Sequence, residues 1–418
     1  MILKTNRPSV FLTIACLFVV ESVLWVDSAT AQSAQPAETL DAGKGIFYPE
    51  TEGPFGYGIF EKIRYEHMVN DPQVNIDNPY LAGAELLFTW SSVEADEGRY
   101  HWETLDRFMD PWFRSGKKII LGVRTVQKRG RNPTASSATP AWVFEAGAEK
   151  ISTGAFRGGK RKFRKSDGSR GMKRQAGGQD RIAWPVYWDP VYLEKYGQFV
   201  KALAGKYDGN PGVEFIEIGL GQFGSTKIAG PNSVLDRYRE KGYTETLWVD
   251  TMKKMIEMYR AAFKKTPLAI VVSPFHKIND QNGGSHLEEI SRYAAGKGIY
   301  LYNHALTGND KFTDQNPFPA LFHSVSGRTK TAFGPDNPLS GRRNADFRKY
   351  GRIGDAVENA FGGIRGLPET HISYLLFYVD DVSASDPKSK LYNADYEKAM
   401  RYAAGRLGPG GGAVEEGS

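Results

Sequence analysis

Residues 83–126 read GAELLFTWSSVEADEGRYHWETLDRFMDPWFRSGKKIILGVRTV. Two apolar, extended runs, Gly83–Trp90 and Lys118–Val126, flank a helical pattern over Trp102–Arg114. Strands that are apolar almost throughout are those of parallel sheets, covered by helices on their faces. The same rhythm recurs outward from this unit. Further strand candidates are Gly45–Pro49, Val213–Gly219, Leu268–Pro274, Gly298–Asn303, Thr329–Gly334 and Ile372–Val379. Tyr192, Tyr196, Phe199, Val200, Leu203 and Tyr207 recur at helical spacing, as do Trp248, Met252, Met255, Ile256, Tyr259 and Phe263. Shorter helices fit Leu287–Ala295, Asp355–Arg365 and Asp395–Leu407. Eight strands alternating with helices over residues 44–408 predict a single α/β (β/α)8 TIM barrel. A doubly wound open sheet is the alternative, because the stretch between the first two strands has no long helical pattern.

The chain has 418 residues, nominally two to three domains, but a barrel with insertions also reaches this size. Hydrophobic residues at 40% and charged residues at 24% exclude wholesale disorder. The net charge of +6 is too small to argue for a nucleic-acid partner. Residues 1–31 read as a signal peptide: Lys4 and Arg7, an apolar run from Val10 to Val20, then Ala29-Thr30-Ala31 before Gln32. Glu21 and the polar tail leave the run short of the roughly 20 residues that span a membrane. The lone cysteine, Cys16, lies inside that run, so cleavage leaves no disulfide, cysteine-ligated metal or thiol nucleophile. An uncleaved anchor, or a lipoprotein cut before Cys16, is the alternative. Residues 32–43 form a polar spacer and 409–418 a Gly-rich tail. The expectation is a secreted or periplasmic protein with no stable membrane span once the signal is removed.

Two motif matches lack their context. Gly219-Leu220-Gly221-Gln222-Phe223-Gly224 follows a strand as a dinucleotide fingerprint should, but Gly230-Pro231 interrupts the helix it must open. Gly154 to Lys160 fits most of a phosphate-binding loop, yet Arg161 stands where Ser or Thr is needed to hold magnesium. No cofactor is expected. None of the seven histidines (67, 101, 276, 286, 304, 323, 371) pairs at helical ligand spacing, so no metal is expected either. Carboxylates and aromatics remain, the materials of carbohydrate chemistry: aromatic faces stack on sugar rings and carboxylates cleave glycosidic bonds.

The resemblance becomes specific at Trp90, Glu94, Gly98, Tyr100, Trp102, Leu105 and Asp106. This pattern, with Gly116-Lys117-Lys118-Ile119-Ile120-Leu121 after it, resembles clan A glycoside hydrolases, most of all the family 42 and family 35 β-galactosidase group. Thr139-Pro140-Ala141-Trp142 and Pro185-Val186-Tyr187-Trp188-Asp189-Pro190 continue the likeness over residues 45–225. The resemblance implies a sugar-handling barrel, with an acid/base Glu ending strand four and a nucleophilic Glu ending strand seven. Aligning Gln222-Phe223-Gly224-Ser225 with that group's Asn-Glu-Phe/Tyr-Gly-Ser puts Gln222 at the acid/base position, where an amide cannot cycle a proton. Strand seven ends near Phe333-Gly334-Pro335-Asp336, offering Asp336 in place of Glu.

Other groups are candidates on their placement. Glu217 shares a strand side with Phe215 and Gly219, so alternation aims it into the barrel, either as a catalytic acid or as partner to a barrel Arg or Lys. Asp380-Asp381 follow the last strand at the rim where barrel catalytic groups sit, or cap the next turn. Glu94 is read chiefly as structural. Arg124 ends strand three, positioned to bind a substrate carboxylate or to neutralise Glu217. His276, Asn303 and His304 end strands five and six as hydroxyl contacts. Trp90, Trp142, Tyr187, Trp188 and Tyr378 are stacking candidates or ordinary packing.

Lys150 to Arg181, within an insertion at 147–183, holds eleven Lys and Arg against two Asp, a net +9 that leaves −3 for the rest. Its glycines and few apolar residues suggest a long loop without a core, either a solvated insertion or a lid for a sulfated or uronate glycan. The sequence reads as a secreted glycoside hydrolase cleaving O-glycosidic bonds of a polysaccharide or oligosaccharide. The alternatives are a catalytically silent carbohydrate-binding barrel and an exported oxidoreductase.

Overall fold

The computed structural model describes residues 58–63, 75–126, 138–152, 160–164, 170–174, 183–229, 232–274, 283–309, 318–340, 349–362 and 372–407. All lie in the unit Phe47–Ser418. Eight parallel strands close into a barrel: β1 Gly58–Ile63, β2 Leu81–Thr89, β3 Lys118–Arg124, β4 Val213–Glu217, β5 Leu268–Val271, β6 Tyr300–Asn303, β7 Thr331–Phe333 and β8 Tyr374–Tyr378. Each strand pairs with its sequence neighbours, and β1 closes on β8. The open doubly wound alternative is excluded by that closure.

The helices that cover the strands include α1 Glu103–Arg114, α2 Pro190–Tyr207, α3 Glu245–Ala262, α4 Gly283–Ala295, α5 Phe318–Val325, α6 Ile353–Phe361 and α7 Ala394–Arg406. Local chemistry sets their starts. Asp189 accepts from Tyr192 N at 2.8 Å and Pro190 takes the first turn of α2. Thr244 accepts from Leu247 N at 3.0 Å to open α3. The periodic aromatics of α2 and α3 all face inward and are buried.

Apolar residues form two layers. The larger lies between strands and helices. The smaller fills the barrel, where Ile120, Phe215, Ala269, Val271, Tyr302, Ala332, Tyr374 and Leu376 pack together. At the N-terminal end, a register shift between Ile119 and Ile120 accompanies Glu214 bonding to Lys118 at 3.3 Å and to the Tyr374 hydroxyl at 2.8 Å. Polar side chains collect above the apolar plug, at the C-terminal mouth.

Two expectations are corrected. The first barrel strand is Gly58–Ile63, and Gly45–Pro49 lies outside the described residues. The basic insertion, expected to be a loop, contains two antiparallel pairs: Lys150–Ser152 with Ala183–Pro185, and Lys160–Arg164 with Arg170–Arg174. Between the latter two lies Asp167-Gly168, a hairpin signal. Residues 1–31, the spacer and the tail fall outside the described residues. Among the described residues no helix is long and apolar enough to cross a membrane.

Candidate active site

Strand alternation brings Phe215 and then Glu217 to the inner face of β4. Gly122 of β3 stands opposite Glu217 in register. A methyl group there would lie 2.7 Å from Glu217 Oε2 and 2.6 Å from Leu87 Cδ2, so this glycine makes the room the carboxylate occupies. Two residues further on, Arg124 Nη2 donates to Glu217 Oε2 at 3.2 Å. Glu217 is fully shielded from solvent and Arg124 nearly so.

A second buried carboxylate, Glu85 of β2, is electrostatically coupled to Glu217. Lys62 of β1 is the register partner of both Glu85 and Tyr378. Its ammonium donates to Pro335 O at 3.2 Å and to His304 Nδ1 at 2.5 Å. It also lies 4.9 Å from the ring centre of Tyr378 and 5.5 Å from that of Tyr302.

Burial first, and then the adjoining Glu217, push the Glu85 carboxyl well above its ordinary range, with Lys62 and Arg124 opposing. Glu85 therefore favours its neutral form. Burial and both carboxylates also raise the Tyr302 phenol, which stays neutral. Among the described residues, Arg124 Nη1, Tyr302 OH and Gln222 Oε1 are buried atoms with no hydrogen-bond partner. Both Glu85 carboxylate oxygens and Glu217 Oε1 are likewise buried without a hydrogen-bond partner.

The raised Glu85 value has a stability consequence with a definite sign. Folding lifts this carboxyl above the 4.5 of an ordinary Glu, so the folded chain binds more protons between the two values. Stability from Glu85 is complete below that ordinary value and is lost as pH rises toward the folded one. Glu85→Gln keeps the side chain's size but cannot ionise. Its melting temperature relative to wild type is expected to climb steadily from about pH 5 to about pH 8. Parallel melting-temperature profiles for the two proteins across that range would remove the proton from Glu85.

The turn after β4 wraps this cluster. Gly224 has φ +72°, and a Cβ there would meet Arg124 Nη1, so only glycine lets the turn sit on the guanidinium. The turn is a single 3-10 stretch, Gln222–Gly224, and not the start of a helix. The glycine spacing that mimics a dinucleotide fingerprint is here a packing requirement.

The other expected site residues divide. Tyr378 and His304 join the cluster through Lys62. Asp336 is exposed at the end of β7, receives Asn337 Nδ2 at 2.9 Å on its carboxylate, and takes the Tyr378 hydroxyl at 2.8 Å on its backbone oxygen. Asp380 faces solvent in the first turn of the helix Val379–Ser385. Its neighbour Asp381 turns inward instead, accepts from Ser340 N at 2.7 Å, and burial pushes it up to about 6. Glu85 is a further acid coupled to Glu217, one that the sequence reading did not single out.

Several expected sugar contacts also have packing roles. Trp90 is wholly buried, wedged against Tyr192, Tyr196 and Phe199, with its indole donating to Glu94 at 2.7 Å. Glu94 also accepts from Gly98 N at 2.8 Å, which makes it a loop clamp. Trp142 lies edge-on to Trp90 at 5.8 Å and donates to Glu94 O at 3.3 Å. Tyr187 is buried against Tyr192 and Trp248. Trp188 packs on Tyr238 and Tyr243 and donates to Lys241 O at 2.9 Å. Asn303 donates to Val272 O and accepts from Ala305 N, both at 2.8 Å, stitching β5 to the end of β6. His276 lies outside the described residues. Among the described residues no group of three or more His, Cys, Asp or Glu is placed to hold a metal ion.

A closed parallel barrel with ionisable groups gathered at its C-terminal mouth has the architecture of a barrel enzyme. Residues 84–219 match the glycoside hydrolase family 42 profile, described as β-galactosidase. Over 121 residues the chain is 29% identical to the β-galactosidase GalA of Bacillus licheniformis, a stretch that covers 29% of this chain and 14% of that relative. In fold it is similar to the catalytic domain of β-amylase from Paenibacillus polymyxa, with TM-score 0.56, 9% identity, and coverage of 84% of this chain and 99% of that one. The chain is a glycoside hydrolase-like (β/α)8 barrel, similar to the family 42 β-galactosidases over residues 84–219.

Proposed function

We propose that this chain is an exported glycoside hydrolase acting on an anionic polysaccharide or oligosaccharide at the barrel mouth. The observation that carries the reading is a coincidence of place. The family 42 match runs over β2 to β4, the strands that deliver Glu85, Arg124 and Glu217 to the mouth. Hydrolysis of a glycosidic bond uses a couple of carboxylates roughly 5–10 Å apart. We assign Glu217 and Asp336 to it, with Asp336 exposed to substrate and Glu217 covered by Arg124. A substrate that draws the guanidinium onto its own oxygens uncovers Glu217. The +9 segment favours an acidic glycan, and the leader-like residues 1–31 favour export.

Gln222 favours a second reading, a barrel that binds glycans without cleaving them, because its amide stands at the acid/base position implied by the resemblance. One experiment separates the two. Oligogalacturonate, a heparin-derived hexasaccharide and lactose are incubated with the protein, and both reducing-end release and calorimetric binding are followed. Hydrolysis predicts release that is lost in Asp336→Asn. Saturable binding without release supports the silent barrel, and neither binding nor release removes both readings.

A further inference from the structure

The turn after β4 holds an aromatic residue where backbone and solvent both oppose it. Phe223 sits at φ 56°, ψ 30°, and among the described residues it is the one non-glycine with positive φ. An L-residue is disfavoured there by contact between its Cβ and the backbone, whereas glycine is not. The ring is 39% exposed, and among the described residues only Leu391 and Tyr392 are large hydrophobics left as open. Glycine at this position would relieve both the strain and the exposure.

Neighbouring bonds impose the conformation. Gln222 N donates to Lys227 O at 2.6 Å, and Gly221 N to Ser225 O at 2.8 Å. Gly224 N closes onto Gly221 O at 3.1 Å, while the Ser225 hydroxyl donates to Gln222 O at 2.7 Å. Strain that is over-determined by its surroundings is characteristic of functional positions. The turn also holds or covers two buried polar atoms without a hydrogen-bond partner, Gln222 Oε1 within it and Arg124 Nη1 beneath Gly224.

We infer that Gly221–Gly224 is a sugar-binding turn, in which the Phe223 ring stacks on the C–H face of a pyranose while the half-exposed Gln222 side chain meets its hydroxyls. A pyranose suits this site because it presents an apolar face and a polar rim together. The inference rests on the carbohydrate reading of the mouth and adds to it a specific platform.

Phe223→Gly and Phe223→Trp test it, with oligogalacturonate, the heparin hexasaccharide and lactose as probes. Relief of strain in Phe223→Gly should raise the melting temperature by roughly 1–3 °C. The same change should weaken the best wild-type probe about ten-fold or more in Kd or KM, while kcat stays within about two-fold. Phe223→Trp, which keeps a ring face, should hold affinity within about three-fold of wild type. If wild type binds a probe and Phe223→Gly binds it equally well, or Phe223→Trp is as weak as Phe223→Gly, the platform is wrong while the carbohydrate reading stands. If wild type engages none of the probes, the carbohydrate reading fails and the platform with it.

Discussion

Arg124→Met is expected to cost about 3–5 kcal/mol of folding stability at about pH 8, the largest effect of any single change at the mouth. The magnitude follows from burial. Glu217 is sealed from solvent and Arg124 is its basic partner at 3.2 Å, so removing the guanidinium strands a carboxylate in the barrel beside a second one. The variant has one relief, to take up another proton, and its deficit should therefore shrink toward about pH 5. Arg124→Met/Glu217→Met should recover most of the loss, because a buried ion pair replaced by apolar groups of similar volume is often neutral or stabilising. Urea denaturation of the two variants and wild type at both pH values gives the cycle. A single variant within about 1 kcal/mol of wild type at pH 8 would mean that Glu217 is not held as a buried ion pair.

That ion pair marks the boundary between what the sequence discloses and what it conceals. Strands β2 to β8 are legible because each is an apolar run bounded by turn residues. β1 is not, since Gly58–Ile63 carries Glu61 and Lys62 among its six residues, and one of them points a charge at the site. Apolar continuity finds the strands of a barrel and passes over the strand that arms it. Glu85 was hidden by the opposite effect, submerged in the run Leu81–Thr89. The alternation that exposed Glu217 applies equally to a lone carboxylate in that strand, and it was the signal that would have found Glu85. The aromatic motif around Trp90 carries the family likeness but not the side on which each ring lies. Trp90 opens a helical turn that carries it into the shell between strands and helices, away from the mouth. Phe223 had no sequence signal beyond its glycine neighbours, because a positive φ belongs to the folded turn rather than to residue type.

Replacing Lys160, Arg161, Lys162, Arg164 and Lys165 with Gln is expected to weaken an anionic glycan on the order of 100-fold at low salt, leaving lactose unaffected. The register of the hairpin is the reason to expect so much. Lys160 pairs with Arg174, Arg161 with Lys173 and Arg164 with Arg170, so three of its five pairs set cation against cation. Like charges directly opposite one another destabilise a strand pair, and a neutral ligand offers nothing to offset that repulsion. A polyanion bridging the two strands does. A surface ion pair contributes roughly 0.2–1 kcal/mol, and five acting together reach about 2–3 kcal/mol, the free energy of the expected loss. Such pairs are screened over about 8–10 Å at physiological ionic strength and over about 3 Å at 1 M, so the gap between wild type and variant should narrow steeply with added salt. The melting temperature should hold steady or rise slightly, since the substitutions remove repulsion from a hairpin whose register pairs join no barrel strand. Calorimetric titration with oligogalacturonate and the heparin hexasaccharide across a salt series measures both quantities. Affinity that ignores salt, or a variant that melts many degrees lower, would show that these cations hold the fold together and leave the glycan to other groups.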